Sequence, residues 1–245
     1  MTNIKLVIEY DGTNYHGWQS QVNANTVQDT LASAIYRGTG ENPTFIGSGR
    51  TDAGVHAMGQ TVNFHTCSDI PADKFKYVIN PFLPKDIYIL NSTEVPDDFH
   101  AQYSALKKEY VYKIHNSPLR SVFQKNYAYW IGMPLAFDNM AYACKDFLGM
   151  HDFTAFCATG SKVKDFTRIV YRSELKKDGD FIIYTVQGNG FLYNMVRIMI
   201  GTLIEIGQGK MPKDAIPEIL KGKDRRKAGR TVPPQGLYLK QVFYE

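Results

Sequence analysis

Cysteine is scarce in this sequence, and its distribution indicates no structural role. Only three of the 245 residues are Cys, namely Cys67, Cys144 and Cys157, and no two of them form a C-x-x-C pair. An odd number of widely spaced cysteines argues against a disulfide framework and against a zinc site. We therefore expect a cytoplasmic protein, kept in a reducing compartment, that folds without disulfides or metals.

Long apolar runs and a targeting segment are also missing. The most apolar stretch, residues 191–206, is shorter than a membrane span and contains Arg197 and Glu205. The first residues run directly into a strand-like segment, residues 4–10, without a basic region followed by a long apolar one. The sequence therefore predicts no secretory signal and no membrane contact, and the apolar stretch is interpreted as a buried helix.

Several common catalytic signatures are absent as well. There is no Gly-Lys-Ser/Thr phosphate loop, and the glycines that begin at Gly47 fail the dinucleotide fingerprint because position 52 is Asp. The chain also lacks H-E-x-x-H, G-x-S-x-G and the paired motifs of zinc base deaminases. These absences disfavour nucleotide cradling, zinc proteases, serine hydrolases and zinc deaminases, and they favour a metal-free carboxylate.

The composition is that of an ordinary globular protein, with 44% hydrophobic residues, 21% charged residues and a formal net charge of +4. The positive charge is concentrated in residues 221–230, where six Lys or Arg residues accompany a single Asp224. This basic segment is a candidate phosphate-facing patch, and the alternative is a solvated, flexible loop. The 16 Tyr and 14 Phe residues supply aromatic faces that suit unstacked bases, although most of them must belong to the core.

Hydrophobic periodicity predicts a mixture of strands and helices. Strands are predicted at residues 4–10, 44–46, 61–65, 87–90, 109–114, 169–175, 181–186 and 237–243. Helices are predicted to begin near Val27 after a capping box, at Pro71, around residues 140–148 and at about residues 194–206. Because hairpin turns occur without strict β-α alternation, we expect an α+β fold with a largely antiparallel sheet flanked by helices.

A boundary is predicted at the acidic, proline-containing residues 96–98. It divides the chain into two mixed α/β halves, residues 1–100 and residues 101–245, with similar element patterns but no detectable sequence repeat. The first half carries the glycine-rich loop described next, and the second carries a tyrosine-containing strand and an arginine-containing helix.

The most informative segment is residues 47–56. Its three glycines allow the backbone to turn sharply, and they hold Arg50, Asp52 and His56 on a loop between strands. A carboxylate displayed in this way can act as a nucleophile or as a general base. The alternative is that Asp52 only bonds neighbouring backbone N–H groups in an Asx turn. We expect His56 to be a hydrogen-bonded loop histidine rather than a catalyst.

The string Gly-Arg-Thr-Asp-Ala-Gly-Val-His at residues 49–56 resembles the signature of the bacterial tRNA pseudouridine synthase A family, which acts at positions 38 to 40 of the anticodon arm. Further segments follow in that family's order: residues 9–12, 17–19, 96–101, 110–112, 191–197 and 236–239. The resemblance implies an isomerase that cleaves the N1–C1′ bond of uridine in tRNA and re-attaches the base through C5. It also implies a homodimer, an active-site cleft between the two halves, and no cofactor or metal.

Three residues acquire roles through this resemblance, and Arg50 is a further candidate. Asp52 matches the catalytic nucleophile, and Arg197 matches the basic residue that pairs with it. Tyr110 matches the tyrosine that lies against the target base, and Arg50 is assigned to a phosphate or to the flipped nucleotide. Judged from the residues alone, Tyr110 also suits a core position in a strand, Arg197 the solvent face of an amphipathic helix and Arg50 a plain surface position.

Two other functions stay open from the residues alone. One is a non-catalytic RNA-binding module, in which Asp52 only shapes a turn. The other is a metal-free hydrolase that uses Asp52, although no second motif supports it. Residues 161–168 are harder to match to the family, so no RNA contact is assigned to them. A carboxylate at position 52 suits attack on the sugar or base and equally suits removal of a sugar proton.

Overall fold

The computed structural model describes residues 1–161 and 163–245. Their internal contacts divide the chain into two compact units. Unit 1 consists of Met1–Leu106 together with Tyr238–Glu245, and unit 2 consists of Lys107–Leu237. Both units combine strands with helices, and the predicted α+β fold class is confirmed. Lys162, in the segment to which no RNA contact was assigned, lies outside the described residues.

Unit 1 is built on a mostly antiparallel sheet. Its strands are β1 (Thr2–Tyr10), β2 (Ile46–Gly47), β3 (His56–Thr66), β4 (Ile87–Val95) and the C-terminal β10 (Leu237–Phe243). β1 lies between β3 and β4 and is antiparallel to both, and β2 is antiparallel to β3. β10 joins the sheet parallel to β3, with Tyr238 opposite His56. The Asp52 loop therefore connects two strands of this sheet.

Local sequence explains the first elements of unit 1. Alternate residues of β1, from Ile4 to Tyr10, are buried, which is the two-residue period of a strand with one face on the core. Helix α1 (Val27–Thr39) begins where the capping box predicts, because the Thr26 hydroxyl oxygen accepts a hydrogen bond from the backbone N–H of Asp29 at 3.2 Å. The start predicted near Val27 is confirmed.

The helix predicted from Pro71 is interrupted. A 3-10 turn (Ala72–Lys74) leads into the short helix α2 (Phe75–Ile79), and a second 3-10 turn (Asn80–Phe82) ends it. The Asn80 side chain exchanges two hydrogen bonds with the backbone of Ile89, at 2.8 and 3.0 Å, and so ties this end to β4. Tertiary contacts therefore shape this segment more than its helical period does.

Unit 2 is also built on strands. Its strands are β5 (Lys107–Asn116), β6 (Tyr129–Ile131), β7 (Gly149–Asp152), β8 (Thr167–Asp178) and β9 (Phe181–Gly188). β5, β9, β8 and β7 follow one another and pair antiparallel, and β6 pairs parallel with β5. The hairpin predicted between β8 and β9 is confirmed, with Gly179 at φ 56°. β6 and β7 were not predicted from the sequence.

The helices of unit 2 are α3 (Phe137–Ala143), α4 (Met195–Gly207) and α5 (Ala215–Gly222). Every residue of α4 is buried except Arg197 and Glu205, so the predicted buried helix is confirmed. The helix expected around residues 140–148 ends earlier, because a 3-10 turn (Cys144–Phe147) continues from α3. Within the described residues, no helix is long and apolar enough to span a membrane.

Candidate active site

The loop between β2 and β3 in unit 1 presents Asp52, which is half-buried. The backbone N–H of Val55 donates to the main-chain carbonyl of Asp52 at 3.1 Å and closes the turn. Gly54 has a φ of 75°, a left-handed conformation that glycine adopts without strain. Because this turn is closed through the main chain, its closing bond does not use the carboxylate of Asp52.

Two glycines from the segment after β1 touch the backbone of this loop. A Cβ atom at Gly12 would lie 2.1 Å from the carbonyl oxygen of Val55. A Cβ atom at Gly17, whose φ is 92°, would lie 2.5 Å from the carbonyl oxygen of Thr51. No larger residue fits at either position without displacing the loop. The family-like segments 9–12 and 17–19 therefore support the loop that carries Asp52.

Hydrogen bonds reinforce the same contact. The backbone N–H of Trp18 donates to the carbonyl oxygen of Thr51 at 3.1 Å, and that of Gly54 donates to Tyr15 at 3.2 Å. The Tyr10 hydroxyl lies 2.8 Å from Thr51 Oγ1 in a buried position. Burial raises the pKa of Tyr10 well above its ordinary value, so the phenol stays protonated near neutral pH. The residue that precedes Asp52 is thus fixed through its side chain and its main chain.

Gln60 of β3 forms hydrogen bonds with the first residues of the loop. Ser48 Oγ donates to Gln60 Oε1 at 2.5 Å, and Gln60 Nε2 donates to the carbonyl oxygen of Gly49 at 2.9 Å. A Cβ atom at Gly47 would lie 2.6 Å from Nε1 of the buried Trp18. Sequence reasoning missed these supporting residues, because no local pattern pairs segments this far apart in the chain.

His56 and Arg50 differ sharply in environment. His56 is 2% exposed, its ring stacks on Tyr238 with centroids 4.7 Å apart, and its Nδ1 accepts from the Gly12 N–H at 3.0 Å. Nδ1 also lies 3.1 Å from Asp11 Oδ1. His56 is therefore part of the support beneath the loop. Arg50 is exposed, and within the described part of the chain no hydrogen bond or ion pair holds its guanidinium.

Tyr110 lies in β5 of unit 2 and is 8% exposed. Its ring packs edge-to-face against Phe191, with centroids 5.1 Å apart. Tyr112, two residues further along, is completely buried and donates its hydroxyl to the carbonyl oxygen of Pro233 at 2.7 Å. Burial raises the pKa of Tyr112, and the positive charge of Arg197 acts in the opposite direction. Two tyrosines of identical local pattern therefore have different surroundings.

Arg197 is the third residue of α4 and is half-buried. Its Nε donates to the carbonyl oxygen of Val232 at 2.8 Å, and its Nη1 donates to Asn194 Oδ1 at 2.7 Å. A Cβ atom at Gly201 of the same helix would lie 1.9 Å from the carbonyl oxygen of Arg230. The chain after the basic segment thus packs directly on α4, and the guanidinium is fixed within the unit rather than extended into solvent.

The four candidate site residues are divided between the units. Arg50 and Asp52 share one loop of unit 1, whereas Tyr110 and Arg197 belong to a strand and a helix of unit 2. Within the described residues, no group of three or more His, Cys, Asp or Glu side chains is placed to hold a metal ion.

The basic segment, residues 221–230, is folded rather than loose. Arg225 donates to the carbonyl oxygen of Gly229 at 2.9 Å, and Lys223 Nζ lies 2.6 Å from Asp152 Oδ2. This part of the segment is therefore held by specific contacts within unit 2. Arg225 is half-buried, whereas Lys223 is exposed.

Other cations of the basic segment face outward. Arg226 is 88% exposed at its side chain and pairs with Asp224 at 2.8 Å, which lowers the pKa of that carboxyl to about 2. Lys227, the last residue of a 3-10 turn (Arg225–Lys227), is also exposed. The segment thus combines the half-buried Arg225 with an exposed basic edge.

Comparison with known proteins identifies the family that this sequence matches. The sequence model of a family described as tRNA pseudouridine synthase matches residues 6–104 and 143–245. A protein of Acetivibrio thermocellus described as "tRNA pseudouridine synthase A" is 50% identical over 244 residues, covering 100% of both chains. Proteins with the same description from Ruminiclostridium cellulolyticum and a Thermoanaerobacter species are 51% and 49% identical, also over 100% of both chains. The ranges matched by the family model contain Arg50, Asp52 and Arg197 but not Tyr110.

Proposed function

The chain belongs to the tRNA pseudouridine synthase family, and we propose that it converts uridine to pseudouridine at positions 38, 39 and 40 in the anticodon arm of tRNA. The observation that carries this proposal is the agreement, along the whole chain, with proteins described as tRNA pseudouridine synthase A. The braced loop of residues 47–56 supports it, because such a loop presents a carboxylate in a reproducible position.

The reaction breaks the N1–C1′ and C5–H bonds of the target uridine and forms C5–C1′ and N1–H bonds. Asp52 is the proposed catalytic carboxylate, acting by attack on the sugar or base or by removal of a sugar proton. Atoms and electrons balance within the nucleotide and the solvent, without net oxidation or hydrolysis. The chemistry accordingly requires no cofactor and no metal.

The roles proposed for Tyr110 and Arg197 follow from the family resemblance. Tyr110, held by Phe191 in a strand, stacks on the target base, an interaction worth about 1–3 kcal/mol for a base on an aromatic ring. Arg197 supplies a positive charge for the reaction, and hydrogen bonds to Val232 and Asn194 orient its guanidinium. Arg50, exposed beside Asp52, contacts a phosphate or the flipped nucleotide.

The whole protein is proposed to act as a cytoplasmic homodimer on tRNA. The dimer rests on the family resemblance and the cytoplasmic location on the cysteine pattern. Sedimentation of the purified protein tests the dimer.

The reaction is tested by following the hydrogen on C5. Transfer RNA carrying tritium at uridine C5 should release label to water in proportion to the pseudouridine formed, with a chelator present and without added cofactor. Asp52→Asn should abolish release while leaving tRNA binding largely intact, because the amide keeps the shape of the carboxylate. The exposed Asp97→Asn is the matched control and should behave as the parent does.

Each contrary outcome identifies a different error. Free uracil would indicate hydrolysis of the glycosidic bond, and sensitivity to chelator would indicate a metal. Binding of a competent tRNA without release of label would favour the RNA-binding module. Release by Asp52→Asn within tenfold of the parent rate, about 1.4 kcal/mol in activation free energy, would remove Asp52 from the catalytic role.

A further inference from the structure

Unit 2 contains a pocket between the end of β5 and the chain that leads into β6. Its volume is about 180 Å³. The residues important here are His115, Arg120, Gln124, Lys125, Tyr129 and Trp130. All of them lie in the stretch that the family's sequence model does not match. None of the roles proposed above uses this pocket.

Three aromatic rings follow one another across the strands at this pocket. His115 of β5 is paired with Trp130 of β6 on one side and with Phe181 of β9 on the other. The His115 ring stacks on Phe181 with centroids 5.1 Å apart. Trp130 Nε1 donates to the carbonyl oxygen of Ser117 at 2.9 Å, yet the residue is 39% exposed. The pocket therefore has an aromatic surface that is fixed in orientation and open to solvent.

His115 supplies a buried polar atom. The residue is 7% exposed, and among the described residues its Nδ1 has no hydrogen-bond partner. Buried polar atoms in proteins are almost always hydrogen-bonded, because desolvation without a partner is unfavourable. Neutral imidazole can carry its proton on either nitrogen, so Nδ1 can donate to an oxygen atom of a bound group.

The charge at the pocket is positive. Arg120 and Lys125 line it and are exposed, and no Asp or Glu is among the lining residues. The Arg120 guanidinium lies 6.0 Å from the centre of the Trp130 ring. Within the described part of the chain, neither cation forms an ion pair. Cationic side chains beside an exposed ring are the combination that binds single-stranded nucleic acid through phosphate and base together.

We propose that this pocket binds a phosphodiester group of the RNA, with the adjoining base stacked on Trp130. The identity of the RNA as tRNA rests on the proposed function. His115 lies five residues beyond Tyr110 in β5. With a rise of about 3.4 Å per residue, the two positions are about 17 Å apart along the strand. Because five is an odd number of residues, the two side chains also point to opposite faces of the strand. The pocket therefore takes a different nucleotide from the uridine assigned to Tyr110.

Intrinsic fluorescence offers a direct test, because the chain has two tryptophans in contrasting positions. Trp18 is 2% exposed in unit 1, whereas Trp130 is 39% exposed at the pocket. Addition of tRNA to the full-length protein should change the Trp130 emission, and Trp130→Phe should abolish that change. Inorganic phosphate, added separately, reports binding of a free anion.

Charge variants provide the second measurement. Arg120→Gln combined with Lys125→Gln should weaken tRNA binding and reduce the slope of log affinity against log salt, by about 0.7–0.9 per lost phosphate contact. Lys145→Gln combined with Lys176→Gln is the control, since both lysines are exposed in unit 2 and the same charge is removed. This control should leave the slope unchanged.

The outcomes separate this proposal from the proposed function. Asp52→Asn should show the same Trp130 response to tRNA as the parent protein, whether or not it stops turnover, because binding at the pocket does not use Asp52. A response to inorganic phosphate that equals the response to tRNA would replace the RNA contact by a free-anion site. An unchanged Trp130 emission with tRNA, or equal salt slopes for the two double variants, would overturn the proposal.

Discussion

The two units hold their candidate site residues in different ways. In unit 1, Asp52 lies on an irregular loop that is fixed by segments distant in sequence. Tyr10 and Thr51, which are in contact, are 41 positions apart in the chain. In unit 2, Tyr110 and Arg197 belong to a strand and a helix, whose own hydrogen bonds fix the backbone. The comparison teaches that an irregular loop needs long-range contacts for precision, whereas a regular element needs neighbours only to orient the side chain.

The largest effect on turnover is expected from a substitution at Gly17. Gly17→Ala places a methyl group against Thr51 and should reduce turnover by more than tenfold. An alanine at this left-handed φ lowers the free energy of unfolding by about 1–2 kcal/mol, and its overpacking against the loop lowers it by about 1–3 kcal/mol more. Gly40→Ala is the control, because Gly40 is also left-handed, at φ 78°, but has open space around its Cα. Urea unfolding and turnover measure both variants, and equal effects would contradict the bracing of the loop.

The second test addresses unit 2. Arg197→Met should lower turnover by at least about tenfold, because it removes the positive charge while keeping the aliphatic volume, and a tenfold change corresponds to about 1.4 kcal/mol. Unfolding should become easier by about 1–3 kcal/mol, since the carbonyl of Val232 loses its donor.

Arg37→Met in α1 is the matched control for Arg197→Met. Arg37 is an exposed helix arginine whose guanidinium lies 4.9 Å from the Phe82 ring centre. Full activity of Arg197→Met, in a protein that remains folded, would remove Arg197 from the catalytic role.

The same comparison shows what the sequence was able to predict. The start of α1 followed from Thr26 and Asp29, and the burial of α4 followed from its apolar composition, because both signals are local. α5 was missed because Pro217 lies inside it, although proline is tolerated in a first helical turn. β7 was missed because Gly149 was interpreted only as a helix stop, while pairing with β8 makes it a strand.

The residues of the candidate site were predicted from the resemblance, but the contacts that support the Asp52 loop were not. Family resemblance supplied Asp52, Tyr110 and Arg197, whereas the support from Gly12 and Gly17 depends on close approach of the main chain, which no pattern of side chains reveals. The basic segment was weighed as a patch or a loose loop, and its internal hydrogen bonds became visible only with the fold.

The third prediction sharpens the difference between two tyrosines in β5. Tyr112→Phe should lower stability by about 1–3 kcal/mol, because the carbonyl oxygen of Pro233 loses its donor, with little change in turnover. Tyr110→Ala should weaken binding of the substrate RNA by about 1–3 kcal/mol, and Tyr110→Phe should preserve that binding through its ring. Equal loss of RNA affinity in Tyr110→Phe and Tyr110→Ala would show that stacking is not the role of Tyr110.

The smallest effect is expected at the exposed edge of the basic segment. Arg226→Gln with Lys227→Gln should reduce the salt dependence of tRNA binding by about 0.7–0.9 per lost phosphate contact and leave stability unchanged. Arg225→Gln should instead destabilise unit 2 by about 1–3 kcal/mol, because Gly229 loses its donor. An unaltered salt slope in the double variant would place this edge outside the RNA interface.

Gly12 and Gly17 approach the backbone of the Asp52 loop closely because they have no side chain, and this contact also matters for protein engineering. A designer who grafted residues 47–56 alone onto another scaffold would transfer the carboxylate without the backbone surface that shapes its loop. The smallest transplantable piece is discontinuous: it needs the loop, the turn after β1 with Gly12 and Gly17, and the register of β1 against β3 that sets them face to face. Circular permutation offers a milder approach, because new termini opened at the exposed Asn42 would leave this composite piece whole.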